Sequence, residues 1–97
     1  MVYDWDEEKN DFLKQKRNIS FEEIVLHISE GNLVDILEHP NKEKYPNQIV
    51  YLVMIEKYVY VVPCVEDKKN EIIFLKTAYA SRKYTKKYYT KKGGRYD

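Results

Sequence analysis

Cysteine occurs once in this 97-residue chain, as Cys64, and histidine twice, as His27 and His39. A lone thiol excludes a disulfide framework within the chain and any Cys-rich zinc site. Two isolated histidines fall short of a usual zinc ligand set. A usual zinc site is therefore excluded, and no cofactor is expected. No apolar run reaches the roughly 18 residues that a membrane-spanning helix needs. The opening residues, Met1 to Glu8, are acidic and lack the apolar stretch of a secretory signal, which points to a cytoplasmic location. The chain is 43% hydrophobic and 34% charged, a balance that suits one folded domain rather than a disordered polyelectrolyte. That domain is expected over residues 1–92, with 93–97 as a flexible tail.

The net charge of +1 conceals a segregation: residues 1–75 carry 9 Lys+Arg and 15 Asp+Glu, whereas 76–97 carry 8 Lys+Arg and Asp97 alone. An acidic body thus ends in a basic segment, Lys76, Arg82, Lys83, Lys86, Lys87, Lys91, Lys92 and Arg95. The same segment holds five of the ten tyrosines, namely Tyr79, Tyr84, Tyr88, Tyr89 and Tyr96. Cations that attract phosphate, interleaved with rings that stack on bases, suit RNA or another single strand. The competing reading is a solvated basic end whose tyrosines pack on the core.

Periodicity along the chain predicts a short strand at 2–4 and a helix over about 6–16, capped by Asp4 or Asp6. Ser20-Phe21-Glu22-Glu23 is a capping box, with Ile19 and Ile24 at the hydrophobic-staple positions. Phe21, Ile24, Val25 and Ile28 then line one face of a second helix, which Gly31-Asn32 ends. Strands follow at 33–38, 49–55, 58–62 and 71–79, the second and third joined by a tight turn at Glu56-Lys57. Pro63 is expected to end its strand or mark an edge or bulge. Ser81 caps a final basic helix that Gly93-Gly94 stops. On its wheel Tyr84 and Tyr88 share a stripe that faces the sheet, while Arg82, Lys86 and Tyr89 share an outward one. The fold class read from this order is α+β, with two N-terminal helices and one C-terminal helix on a four- to five-stranded antiparallel sheet.

The residues Trp5-Asp6-Glu7-Glu8-Lys9, Lys16 and Ile19-Ser20-Phe21-Glu22-Glu23, with Ala80-Ser81-Arg82-Lys83 and Tyr88 near the other end, carry a family likeness. In order and spacing the chain resembles the BrnT family of type II toxins. That family opens with a Trp-Asp-x-x-Lys helix start and a Lys-His-Gly-Val/Ile-Ser-Phe-Glu-Glu element, and closes with an Ala-Thr/Ser-Arg-Arg stretch before a basic helix. The resemblance implies a RelE-like, metal-independent endoribonuclease in a bacterial toxin–antitoxin pair. It also implies a ribbon-helix-helix antitoxin as partner and RNA as substrate. Arg17-Asn18 stand where the family usually has His-Gly, Ala78 where many members have Arg, and Tyr84 where Glu is frequent.

Metal-free RNA cleavage needs a base for the ribose 2′-OH, an acid for the 5′-oxygen and cations for the charged phosphorane. One helical turn puts Arg82 and Lys86 on one face to stabilise phosphate, and Lys76 is a third candidate. Tyr88 and Tyr89 are the candidates for proton transfer. Tyr88 matches a family tyrosine, and Tyr89 shares the outward stripe with Arg82 and Lys86. Lys83, Lys87 and Tyr89 are candidate RNA contacts. Against these stand plainer roles, with the cations as solvated surface and Tyr88 as a packing residue. A catalytically degenerate homologue that only binds antitoxin or RNA is the alternative function.

Overall fold

The computed structural model of the chain describes residues 1–91, with side chains described through Tyr88. The side chain of Tyr89, the Gly93-Gly94 stop and the expected tail 93–97 lie outside the described residues. The element order is β1 (Val2–Asp4), α1 (Glu7–Arg17), α2 (Phe21–Ser29), β2 (Leu33–Glu38), β3 (Gln48–Ile55), β4 (Tyr58–Asp67), β5 (Ile72–Leu75), β6 (Tyr79–Ser81) and α3 (Arg82–Lys91). The fold is α+β, as expected, with three helices on a six-stranded sheet.

The junction between α1 and α2 follows from local side-chain chemistry. Asn18 takes the left-handed conformation (φ 54°) that closes α1 and sends its N–H to the Leu13 carbonyl. Asn tolerates that backbone better than most residues. Ser20 then forms the expected capping box: its Oγ accepts from the Glu23 N–H at 3.1 Å, and Glu23 Oε1 accepts from the Ser20 N–H at 3.0 Å. The fully buried Asn10 completes the junction. Its Oδ1 accepts from the Phe21 N–H at 2.8 Å, and its Nδ2 donates to Glu22 Oε1 at 2.8 Å. Two of the otherwise orphaned N–H groups at the start of α2 are thereby satisfied. At α1, Asp6 occupies the N-cap without a side-chain cap bond. Asp4 Oδ1 instead accepts from the Trp5 N–H at 2.8 Å.

The sheet corrects the antiparallel expectation. Its order is β1-β5-β4-β3-β2, with β6 also pairing β4, and β1 runs parallel to β5 in the register Tyr3↔Ile73. The sheet is therefore mixed, and it has six strands rather than four or five. Two further expectations change around Pro63. β4 does not stop there but continues to Asp67, with Val50↔Pro63 inside its pairing to β3. The single strand expected over 71–79 is instead two, β5 and β6. Both differences have one cause. β4 pairs β5 at Cys64↔Leu75 and β6 at Val61↔Tyr79, so three steps on β4 face four on the other chain. One extra residue, placed at Thr77, makes a bulge. Pro63 accepts from the Lys76 N–H at 2.8 Å but has no N–H to return, and the register slips beside that missing donor.

Side chains from the two faces of the sheet pack separately. On one face, Tyr51, Val53, Val62, Cys64, Ile73 and Leu75 meet Leu13, Ile19, Phe21 and Ile24 of the α1–α2 region. On the other, Leu52, Val59 and Val61 meet Tyr84 and Tyr88 of α3. Trp5 stacks on Phe21 at a centroid distance of 5.6 Å, which closes the α1–α2 side near β1.

Replacing Asn10 by Leu should leave the Phe21 N–H without its buried acceptor and cost about 1–3 kcal/mol, measured by denaturant unfolding near neutral pH. The Asn10 bond is the main reason the Glu22 carboxyl lies below its ordinary value of 4.5. A depressed carboxyl stabilises the fold above its unfolded pKa and loses that contribution as pH falls through its folded pKa. The gap between wild type and variant should therefore narrow in acid, at pH below Glu22's ordinary value of 4.5.

Candidate nucleic-acid interface

Helix α3 begins as its sequence suggests, with Ser81 Oγ accepting from the Tyr84 N–H at 3.1 Å. Its first turn then works against it, because no acidic residue faces the positive helix end and Arg82 and Lys83 stand there instead. The i,i+4 pairs Arg82–Lys86 and Lys83–Lys87 add like-charge repulsion. Docking compensates. Thr85 is buried; its Oγ1 accepts from the Val59 N–H at 2.8 Å and donates to the Ser81 carbonyl at 2.6 Å. Tyr84 packs against the Leu52, Val59 and Val61 cluster. Tyr88 is buried there too, and its hydroxyl donates to Asp35 Oδ2 on edge strand β2. Asp35 Oδ1 accepts from the Ile36 N–H at 2.8 Å, so one carboxylate holds both the helix and the strand edge.

The Asp35 bond, with burial as the second cause, pushes the Tyr88 hydroxyl up to about 12. A general base would need that value lowered. Tyr88 thus sits with its proton held, as an anchor of α3. The tyrosine stripe Tyr84–Tyr88 faces the sheet, as its spacing implied.

The cations lie on the other side of the helix. Arg82, Lys83, Lys86 and Lys87 are all exposed. Lys83 Nζ lies 5.3 Å from the Tyr84 ring centre and Lys87 Nζ lies 5.4 Å from that of Tyr88. These two lysines flank the docked rings, while Arg82 and Lys86 stand one turn, about 6 Å, apart. Lys76 is also exposed. Strand alternation from Leu75 carries it to the α3 face of the sheet. Its N–H bonds Pro63, whereas Ser81, where α3 starts, pairs Val59. Four residues of β4 therefore separate them, about 13 Å. The cations form a stripe along one face and not a tight cluster.

Tyr79 lies between Lys76 and Arg82 on that same face, because it pairs with Val61, and it is 43% exposed. It is an aromatic candidate that counting tyrosines in the basic segment did not separate from the docked ones; the alternation around the bulge does. Arg17, another residue not singled out for the site, reaches the same bulge from below. Its Nη1 donates to the Ala78 carbonyl at 2.8 Å and to Thr77 Oγ1 at 3.3 Å. Ala78 itself is fully buried, so a longer side chain there would have to displace its neighbours.

The remaining reactive residues have local roles. Cys64 is buried, which pushes its thiol up to about 12. His39 Nδ1 accepts from the Asn41 N–H at 3.0 Å, and the ring packs on Tyr45 at 4.4 Å. His27 lies beside the Asn32 amide, at 3.3 Å. Among the described residues, no group of three or more His, Cys, Asp or Glu is placed to hold a metal ion. No helix among them is long and apolar enough to cross a membrane.

Replacing Tyr88 by Phe keeps the ring and removes the bond to Asp35. About 2 kcal/mol should be lost near neutral pH, read from chemical unfolding, with faster amide exchange along α3. A tyrosine whose folded value is raised stabilises fully below its ordinary value near 10 and loses this as pH climbs towards about 12. The wild-type advantage should close over that alkaline interval, and a constant gap would mean that the hydroxyl is not the cause.

Comparison with known proteins leaves the assignment to the geometry: no protein-family model matches the chain, and no curated protein or solved structure matches it.

Proposed function

We propose that this protein contacts RNA through the outer face of α3 and the neighbouring Lys76 and Tyr79, and that it is the toxin component of a type II toxin–antitoxin pair with a RelE/BrnT-like fold. The observation that carries the RNA contact is the self-repelling row Arg82, Lys83, Lys86 and Lys87, held exposed on a helix that is bolted down by Thr85, Tyr84 and Tyr88. Such a row is relieved when phosphates lie against it. The likeness to BrnT toxins in the Trp5–Lys9, Ile19–Glu23 and Ala80–Lys83 motifs supplies the rest: inhibition of growth by metal-independent RNA cleavage, and a ribbon-helix-helix antitoxin that covers the basic face. In that chemistry the 2′-oxygen attacks phosphorus, the bond to the 5′-oxygen breaks, and a cyclic phosphate and a 5′-hydroxyl result. Arg82 and Lys86 would bear on the phosphate; Lys76, set apart along the stripe, would join Lys83 and Lys87 in binding the flanking backbone. Tyr88 anchors the helix that orients them, and with its proton held it is a candidate for the acid rather than the base; Tyr89 would be a further RNA contact.

A second reading, a non-cleaving antitoxin- or RNA-binding module, is favoured by two particulars. Tyr88 keeps its proton on Asp35, and Ala78, where the resembling family often has arginine, is buried.

Expression in a bacterial host without a partner separates the two. Growth arrest, with new RNA ends bearing 5′-hydroxyls, is expected for the toxin. Unchanged growth with RNA binding intact assigns the binding module, and unchanged growth without RNA binding overturns the proposed RNA contact. Binding to a single-stranded RNA should weaken with salt by a slope near −0.7 per phosphate contacted, and Arg82→Ala with Lys86→Ala should flatten it by about 1.4. Because both side chains are exposed, the melting temperature should barely move; a large drop would make them structural.

A further inference from the structure

A cleft of about 710 Å³ opens on the face of the sheet opposite the basic helix, between the α1–α2 junction and the β3–β4 turn. Its lining includes Asn18, Glu23, Glu56, Lys57, Tyr58 and Tyr60. That volume is within the usual range for small-ligand sites. The charged side chains on its wall are two carboxylates against one ammonium.

Each carboxylate is held in place for reasons of its own. Glu23 Oε1 is engaged by the Ser20 N–H at 3.0 Å, which fixes the group and leaves Oε2 for a ligand. Glu56 is the first of two turn residues between the paired Ile55 and Tyr58, and its φ is 58°. Of the two turn residues only Glu56 has positive φ, a geometry in which hairpins favour glycine at that place. A glutamate there carries a conformational cost that glycine would not. It sets an exposed carboxylate on the lip of the cleft.

Tyrosine rings supply the other walls. Tyr58 is 51% exposed and Tyr60 is half-buried. The Tyr60 hydroxyl is raised from its ordinary value first by burial, then by Glu23 and Glu56. Both carboxylates line the same cleft, and both disfavour the charged form of Tyr60. Paired carboxylates beside aromatic faces suit a planar cation with several in-plane donors better than a compact ammonium.

We propose that this cleft binds a guanidinium group, taken between the Glu23 and Glu56 carboxylates and stacked against Tyr58 and Tyr60. The source is either a free guanidino compound or the arginine side chain of a protein partner.

The test is a two-dimensional amide NMR titration of the full chain with three probes: ethylguanidinium, ethylammonium and a capped Gly-Arg-Gly peptide. Ethylguanidinium at tens of millimolar should shift the amides of Asn18, Lys57, Tyr58 and Tyr60 and leave those of the exposed Lys86 and Lys87 unmoved. Ethylammonium should bind at least about threefold more weakly. Tighter binding of the peptide assigns a partner's arginine, and equal or weaker binding assigns a free ligand. Glu56→Gln and Glu23→Gln should each weaken binding about threefold; glutamine is accepted at the third helical position of a capping box, so the fold is kept. Glu56→Gly should raise the melting temperature and still weaken binding, which separates the backbone from the ligand role. Absence of shifts in the cleft, equal affinity for ethylammonium, or unchanged affinity in Glu56→Gln overturns the proposal.

Discussion

The bond from the Tyr88 hydroxyl to Asp35 joins the most cationic helix of the molecule to the outermost strand of its sheet. Much else depends on this contact. Helix α3 has no acidic residue in its first turn, and its exposed positions repel one another, so its local sequence alone makes a poor helix. It persists because Thr85, Tyr84 and Tyr88 bury their polar and aromatic groups on β4 and β2. The same Asp35 carboxylate occupies the Ile36 N–H, which blunts an edge that would otherwise invite another strand. Removing the carboxylate would loosen the helix and open the edge together.

Much of this architecture is legible from neighbouring residues. The Ser20–Glu23 box, the apolar face of α2, the β3–β4 hairpin and the inward tyrosine stripe of α3 are all set within a few positions of chain, and each appears where its pattern places it. What could not be read is long-range. The parallel pairing of β1 with β5 joins residues about seventy apart in sequence, and nothing in Val2–Asp4 announces a direction. Asp35 looks like an ordinary polar residue in a strand, and its partner lies 53 residues away. Of the alternatives open at Pro63, the strand's end did not occur and a bulge did, on the opposing chain. Proline usually stops a central strand, yet here the opposing chain changes register beside it, so the missing donor falls at a place where the ladder is already broken.

The candidate site was partly visible in the same sense. The concentration of positive charge at the end of the chain is a matter of composition, and the helix that carries it follows from spacing. Which tyrosines dock and which stay open does not follow from their number. Tyr84 and Tyr88 are taken up by packing, whereas Tyr79 remains accessible beside Lys76. The Glu23–Glu56 cleft lies on the opposite face of the sheet, beside the α1–α2 junction. A phosphate-rich ligand and a cationic one would therefore meet the molecule at separate places, and the field of each place would repel the other ligand.

The supernumerary Thr77 works as a parity inverter. Side chains alternate up and down along an uninterrupted strand, so a chain running straight on from Leu75 would turn Tyr79 towards α1 and α2 and bring Ala78 out. With one residue inserted, Ala78 goes inward and Tyr79 outward. The final helix leaves the sheet three residues later, so its departure side depends on this insertion. Deleting a single codon there would reverse the handedness of the exit and oblige the whole positively charged terminus to compete with the N-terminal helices for the opposite side of the sheet.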